Sequence, residues 1–114
     1  MFQRQMQHDP EVQKARLEIA EVARAMLSGK LLFIEGSRRL HYLKSAAMLA
    51  DNDADFDPFV GIDSDTDALP IGAERARWAQ DALDRLQPEI ARAEEWAQGF
   101  GRPHCQRLID RFGG

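Results

Sequence analysis

The sequence predicts an all-α domain: a helical hairpin followed by C-terminal helices, four to five helices in total, with one long ordered acidic loop. Three observations lead there. Two amphipathic stripes at three- and four-residue spacing stand on either side of a short "SGK" connection, residues 28–30. A third stripe runs through the Ala-, Glu- and Arg-rich stretch after Pro70. The apolar run between them, "PFVGI", is too short to be more than a single extended stretch. At 114 residues, 44% hydrophobic and 30% charged, the chain has the size and balance of one ordinary globular domain that needs neither metal nor disulfide to build a core.

The first helix is expected over residues 10 to 28. Asp9 suits the N-cap and Pro10 the first helical position. Val12, Ala15, Ile19, Val22 and Met26 make the stripe, Ala23 and Leu27 widen it, and Glu11, Lys14, Glu18, Glu21 and Arg24 lie off it. Gly29 suits the left-handed position that ends a helix. The second helix is expected over 31 to 50, with Phe33, Gly36, Leu40, Leu43 and Ala47 in its stripe. Gly36 costs that helix about 1 kcal/mol relative to Ala, a cost that close approach of the first helix explains. The short connection makes the pair antiparallel.

The acidic segment then carries seven aspartates between Asp51 and Asp67, with no Lys or Arg between Lys44 and Arg75. Residues 45 to 74 hold a charge of −8 on a chain of net −4, so the remainder is mildly basic. Pro58 argues against helix here, and Phe56, Phe59, Val60 and Ile62 pin the loop to the core. After Pro70 the stripe resumes with Leu83, Leu86, Ile90, Ala93 and Ala97. Pro88 predicts a kink or break, and Pro103 a short last helix carrying Cys105, Leu108, Ile109 and Phe112.

The chemistry-bearing candidates are few. Asp63, Asp65 and Asp67 with Glu74 fall at positions 1, 3, 5 and 12 of a calcium loop. Ala68 stands where that loop needs Gly, and Pro70 where it needs a hydrophobic residue. Divalent-metal binding is therefore the alternative reading, and no cofactor is expected. A simpler role for Ser64, Thr66 and Asp67 is a structural clasp, with Thr66 or Asp67 capping the helix near Pro70. For catalysis, His8, His41 and His104 are scattered, and His104 and Cys105, as helix neighbours, point apart. Cys105 is expected to pack as a small apolar residue. Arg38, Arg39, His41 and Lys44 form a basic patch, but the pI near 5.3 argues against nucleic acid, and these arginines are expected to pair with aspartates of the same chain.

The segment Ile62, Asp63, Ser64, Thr66, Asp67, Leu69, Pro70 and Gly72, followed by Arg75 and Trp78, resembles that of a group of small bacterial proteins with no established activity. The likeness extends loosely to "SGKLLFIEGSRRL" and to the C-terminal helix. It implies a compact bacterial domain with a continuous C-terminal helix, from which Pro88 and Pro103 depart.

The reading that follows is a non-enzymatic protein-binding module, in the manner of an inhibitor or immunity protein for a basic partner. Asp57, Asp63, Asp65 and Asp67 offer charge, Phe56 or Phe59 an apolar anchor, and Arg75 and Trp78 complete the expected surface. Self-association through Trp78, Trp96 or a helical stripe, giving a homodimer with a purely structural loop, is the other alternative. One cysteine, no apolar core of signal-peptide length in "MFQRQMQHDPEV" and no membrane-length apolar stretch place the expected home in the cytoplasm.

Overall fold

The computed structural model describes residues 9–113, so His8 lies outside the described residues. Among the described residues four α-helices follow one another: α1 (Pro10–Leu27), α2 (Phe33–Ala46), α3 (Asp57–Thr66) and α4 (Gln80–Phe112). Single 3₁₀ segments, Ala54–Phe56 and Gly72–Arg77, precede α3 and α4, and the described residues contain no strand. No helix among them is long and apolar enough to cross a membrane.

The hairpin forms for the reasons the sequence gives. Asp9 Oδ1 accepts from the Glu11 N–H at 2.8 Å, and Pro10 opens the helix where its missing N–H costs nothing. Gly29, at φ +81°, closes α1 in the left-handed conformation. Gly36 lies against Met26, and a Cβ there would overlap that side chain. Its absence lets α1 and α2 touch. At the other end α2 stops after Ala46, four residues short of expectation, and the left-handed position falls on Met48 at φ +58°. The Met48 and Leu49 N–H groups close back on the Ser45 and Lys44 carbonyls, so a glycine-type turn is built on a side chain that strains it.

Two expectations are corrected. The long acidic loop is interrupted by α3, because Pro58 occupies the first turn of a helix, where no donor is lost. Phe59, Ile62 and Thr66 form the buried side of that helix. The C-terminal region has no break: α4 runs 33 residues through both Pro88 and Pro103. Both prolines are exposed, so carbonyls they leave unpaired can reach water. Meanwhile Leu83, Ile90, Ala97, Gly101, Cys105 and Leu108 stay in phase on the buried side. At 1.5 Å per residue α4 is about 50 Å long, and it sets the 54 Å long dimension of the molecule.

α4 packs along α1 and also touches α2 and α3. The core centres on Ile19, Met26, Phe33, Ile34, Leu40, Phe56, Phe59, Ile62, Cys105 and Leu108, all fully buried. One polar device sits at its edge. Leu32, the N-cap of α2, has no side chain that can cap. The buried Glu94 of α4 does the work instead, its Oε2 accepting from the Phe33 N–H at 2.8 Å and its Oε1 from the Ile34 N–H at 3.1 Å.

Candidate functional site

The seven aspartates divide into two groups, and arginines from other elements decide the division. Arg111 of α4 reaches Asp53 through both terminal nitrogens, at 2.9 and 2.8 Å, and Asp55 at 2.8 Å. Arg107 adds a longer contact to Asp55 at 3.5 Å. Asp53 also accepts from the Asp55 N–H, capping the Ala54–Phe56 segment. The Arg111 guanidinium holds the Asp53 carboxyl below its usual range, and Asp53 in turn raises the pKa of Arg111. Arg111 lies over the Phe112 ring, which packs edge-on against Phe56. This clasp ties the start of the acidic segment to the end of the chain.

A second clasp gathers on Arg38. Its Nε donates to Asp63 Oδ1 at 3.2 Å, and Nη2 to the Thr66 carbonyl at 2.7 Å. Nη1 donates to the Leu69 carbonyl and to Glu74, each at 3.4 Å. His41 Nδ1 lies 2.8 Å from the other Asp63 oxygen. Arg38 thus serves the Thr66 carbonyl at the C-terminal end of α3, which also accepts from the Leu69 N–H, and the Leu69 carbonyl just beyond it. The Thr66 hydroxyl turns inward and donates to the Ile62 carbonyl at 2.7 Å. The expected pairing of the α2 arginines with aspartates holds for Arg38, whereas Arg39 pairs with Glu35 one turn back.

Several expected site residues therefore stand elsewhere. Phe56 and Phe59 pin the segment to the core as expected, and because both are fully buried neither is available as the apolar anchor also expected of one of them. Asp63 is half-buried in the Arg38 clasp rather than free. Thr66 and Asp67 do not cap the helix expected near Pro70: Ile71 precedes the Gly72–Arg77 segment there and Ala79 precedes α4, and no side chain caps either. In the calcium frame, Asp63 and Glu74 are joined by Arg38, and Asp65 and Asp67 point to solvent. Among the described residues no three or more His, Cys, Asp or Glu side chains converge as a metal-ligand set. Trp78 is partly exposed, and its backbone N–H donates to the Arg75 carbonyl. Cys105 is fully buried, and burial pushes its thiol up to about 11, far from a reactive thiolate.

Four carboxylates remain. Asp51, Asp57, Asp65 and Asp67 are exposed, and among the described residues none of their carboxylates has a hydrogen-bond or ion-pair partner. Asp65 shares a shallow cleft between α3 and α4 with Thr66, Glu89, Arg92, Ala93 and Trp96. Trp96 stacks on Phe100 with centroids 5.6 Å apart and planes 24° from parallel, and the two are 42% and 48% exposed. Sequence reasoning did not place this pair beside the aspartates. Its signal was the four-residue spacing of two aromatics off the Ile90–Ala97 stripe. Comparisons with protein-family models, curated proteins and solved structures find no significant match to this chain.

Proposed function

We propose that the chain is a non-catalytic protein-binding module for a basic protein, docking it on the exposed side of α3 and the neighbouring Trp96–Phe100 stack. The observation that carries the reading is the junction of two features in one cleft: Asp65, a carboxylate the fold leaves unpaired, and Trp96, an aromatic the fold leaves uncovered. Asp57 and Asp67 extend the negative charge along α3 and its C-terminal turn. Unpaired surface carboxylates accelerate encounter with a positive patch and select against acidic partners. A stacked aromatic pair supplies the desolvated contact on which affinity concentrates. The shared Ile62–Trp78 segment has, on this reading, mostly an internal duty, because its Asp63, Thr66, Leu69 and Glu74 meet Arg38.

The test is affinity capture from a host lysate with four baits: wild type, a triple variant (Asp57→Asn, Asp65→Asn, Asp67→Asn), Trp96→Ala, and Asp63→Asn. The triple variant alters side chains that make no ion pair among the described residues and should melt close to wild type. Trp96→Ala removes the stack on Phe100, so its capture is compared only after its melt shows it folded. A basic protein captured by wild type and by Asp63→Asn, released by added salt and lost by the triple variant and by Trp96→Ala, supports the docking face. Capture indifferent to salt and to those substitutions refutes it.

A further inference from the structure

We infer that the cleft between α3 and α4 is an arginine pocket, in which a guanidinium from the bound partner lies on Trp96 between Asp65 and Glu89. The inference rests on the docking reading and names the group that fills its centre. The cleft presents two carboxylates, Asp65 and Glu89, against one guanidinium, Arg92. None of the three makes an ion pair with another of the described residues. No cation of the described chain stacks on Trp96, whereas Arg102 and Arg111 do lie over Phe33 and Phe112. An anionic occupant would meet two like charges. An apolar occupant would strip water from three charged groups and give them nothing in return. A cation meets one like charge, Arg92, against two carboxylates. It also gains contact with the exposed part of an indole that stacks on Phe100, indole being the ring that binds cations best.

Arginine fits better than lysine. Its planar guanidinium can stack on the ring while its edge donates to a carboxylate, and it gives up its water more readily than an ammonium. The two walls belong to helices that pack on each other. Asp65 stands near the C-terminal end of α3, and α3 is held there by Arg38 on the Thr66 carbonyl. Glu89, Arg92 and Trp96 are carried by one continuous helix.

The experiment uses the whole chain, isotopically labelled, and follows amide and indole signals while N-acetyl-arginine amide is added. The citrulline counterpart, which keeps the shape without the charge, and the lysine counterpart are titrated in parallel. Indole assignments come from Trp78→Phe and Trp96→Phe. The expected result is saturable millimolar binding that moves the Trp96 indole and the Asp65 and Ala93 amides. Citrulline should bind about tenfold more weakly or not at all, and lysine should fall between. Asp65→Asn and Glu89→Gln should each weaken the arginine response several-fold without changing the melt. No movement at Trp96, or equal movement with citrulline, overturns the pocket. That failure is distinguishable from failure of the docking face: capture that still depends on the α3 aspartates and on Trp96 would leave the face standing without an arginine in it.

Discussion

Removing the Glu94 carboxylate should destabilise the fold more than any surface change, although the side chain belongs to neither clasp. It accepts two backbone N–H groups at the start of α2 and is held in turn by the Gln98 amide at 3.0 Å. In Glu94→Ala both N–H groups lose their acceptor, at a helix end that Leu32 cannot cap. Hydrogen bonds to a charged group contribute about 1.5–3 kcal/mol each, and a negative charge at a helix N-terminus adds about 0.3–1 kcal/mol. Relief of the cost of burying a carboxylate returns part of this, so the net loss should be about 3 kcal/mol. Glu94→Gln keeps the shape and one acceptor but turns an NH₂ toward the other N–H, and should cost about 2 kcal/mol. Urea unfolding followed by circular dichroism measures both. The alanine variant should melt roughly 10–20 °C lower, and the Phe33 and Ile34 amides should exchange faster than their neighbours. An alanine variant within about 0.5 kcal/mol of wild type would refute the reasoning, as would a glutamine variant less stable than alanine.

Three further outcomes follow from local geometry. Met48→Gly relieves a left-handed methionine that is 51% exposed, and should stabilise by about 0.5–1 kcal/mol in the same unfolding assay, net of the glycine's added freedom when unfolded. Asp53 has its pKa lowered from the usual 3.8, first by its hydrogen bonds to Arg111. The unfolded chain therefore takes up that proton first as pH falls. The stabilisation is fully present above 3.8 and is lost as pH drops through the lower folded value, so Asp53→Asn should flatten the acid limb of a stability–pH profile measured by chemical denaturation. Cys105, buried and with its thiol pushed up to about 11, should resist an aromatic disulfide reagent at pH 8 until denaturant unfolds the chain.

The hairpin was legible because its signals are local. Asp9, Pro10 and Gly29 act within a turn of themselves, and the apolar spacing of α1 maps directly onto its buried face. Gly36 was legible too, since a glycine inside a helix needs a neighbour to explain it. The two departures from the expected fold share a cause, which is the position each proline holds. Pro58 falls in a first turn, and Pro88 and Pro103 fall on a solvent face whose opposite side is held by the core. What no local pattern could reveal is partnership across the chain. Glu94 caps a helix some 60 residues away, and Arg111 meets Asp53 at a separation of 58. The same holds for the candidate site. Its charge was visible as a run of aspartates, but the division into clasped and free carboxylates depends on where Arg38 and Arg111 arrive. The apolar contribution was sought in Phe59, which the core consumes, while Trp96 and Phe100 supply it from another helix.

That division is tested most directly by seven single Asp→Asn variants across residues 51 to 67, each read by melting temperature and by capture of the basic partner. Asp53, Asp55 and Asp63 should lower the melt, each by about 1 kcal/mol of stability, and leave capture intact. Asp65 and Asp67 should leave the melt unchanged or raise it slightly, because among the described residues neither carboxylate has an ion-pair partner. Asp51, whose carbonyl the Lys44 ammonium meets at 2.9 Å, should change it by no more than a few tenths of a kcal/mol. Asp57, in the first turn of α3, should cost only a few tenths of a kcal/mol. Among the four free residues, Asp65 should weaken capture most. Two separate sets, one for stability and one for binding, are the expected result; a panel in which the same aspartates govern both, or in which all seven behave alike, would contradict the division.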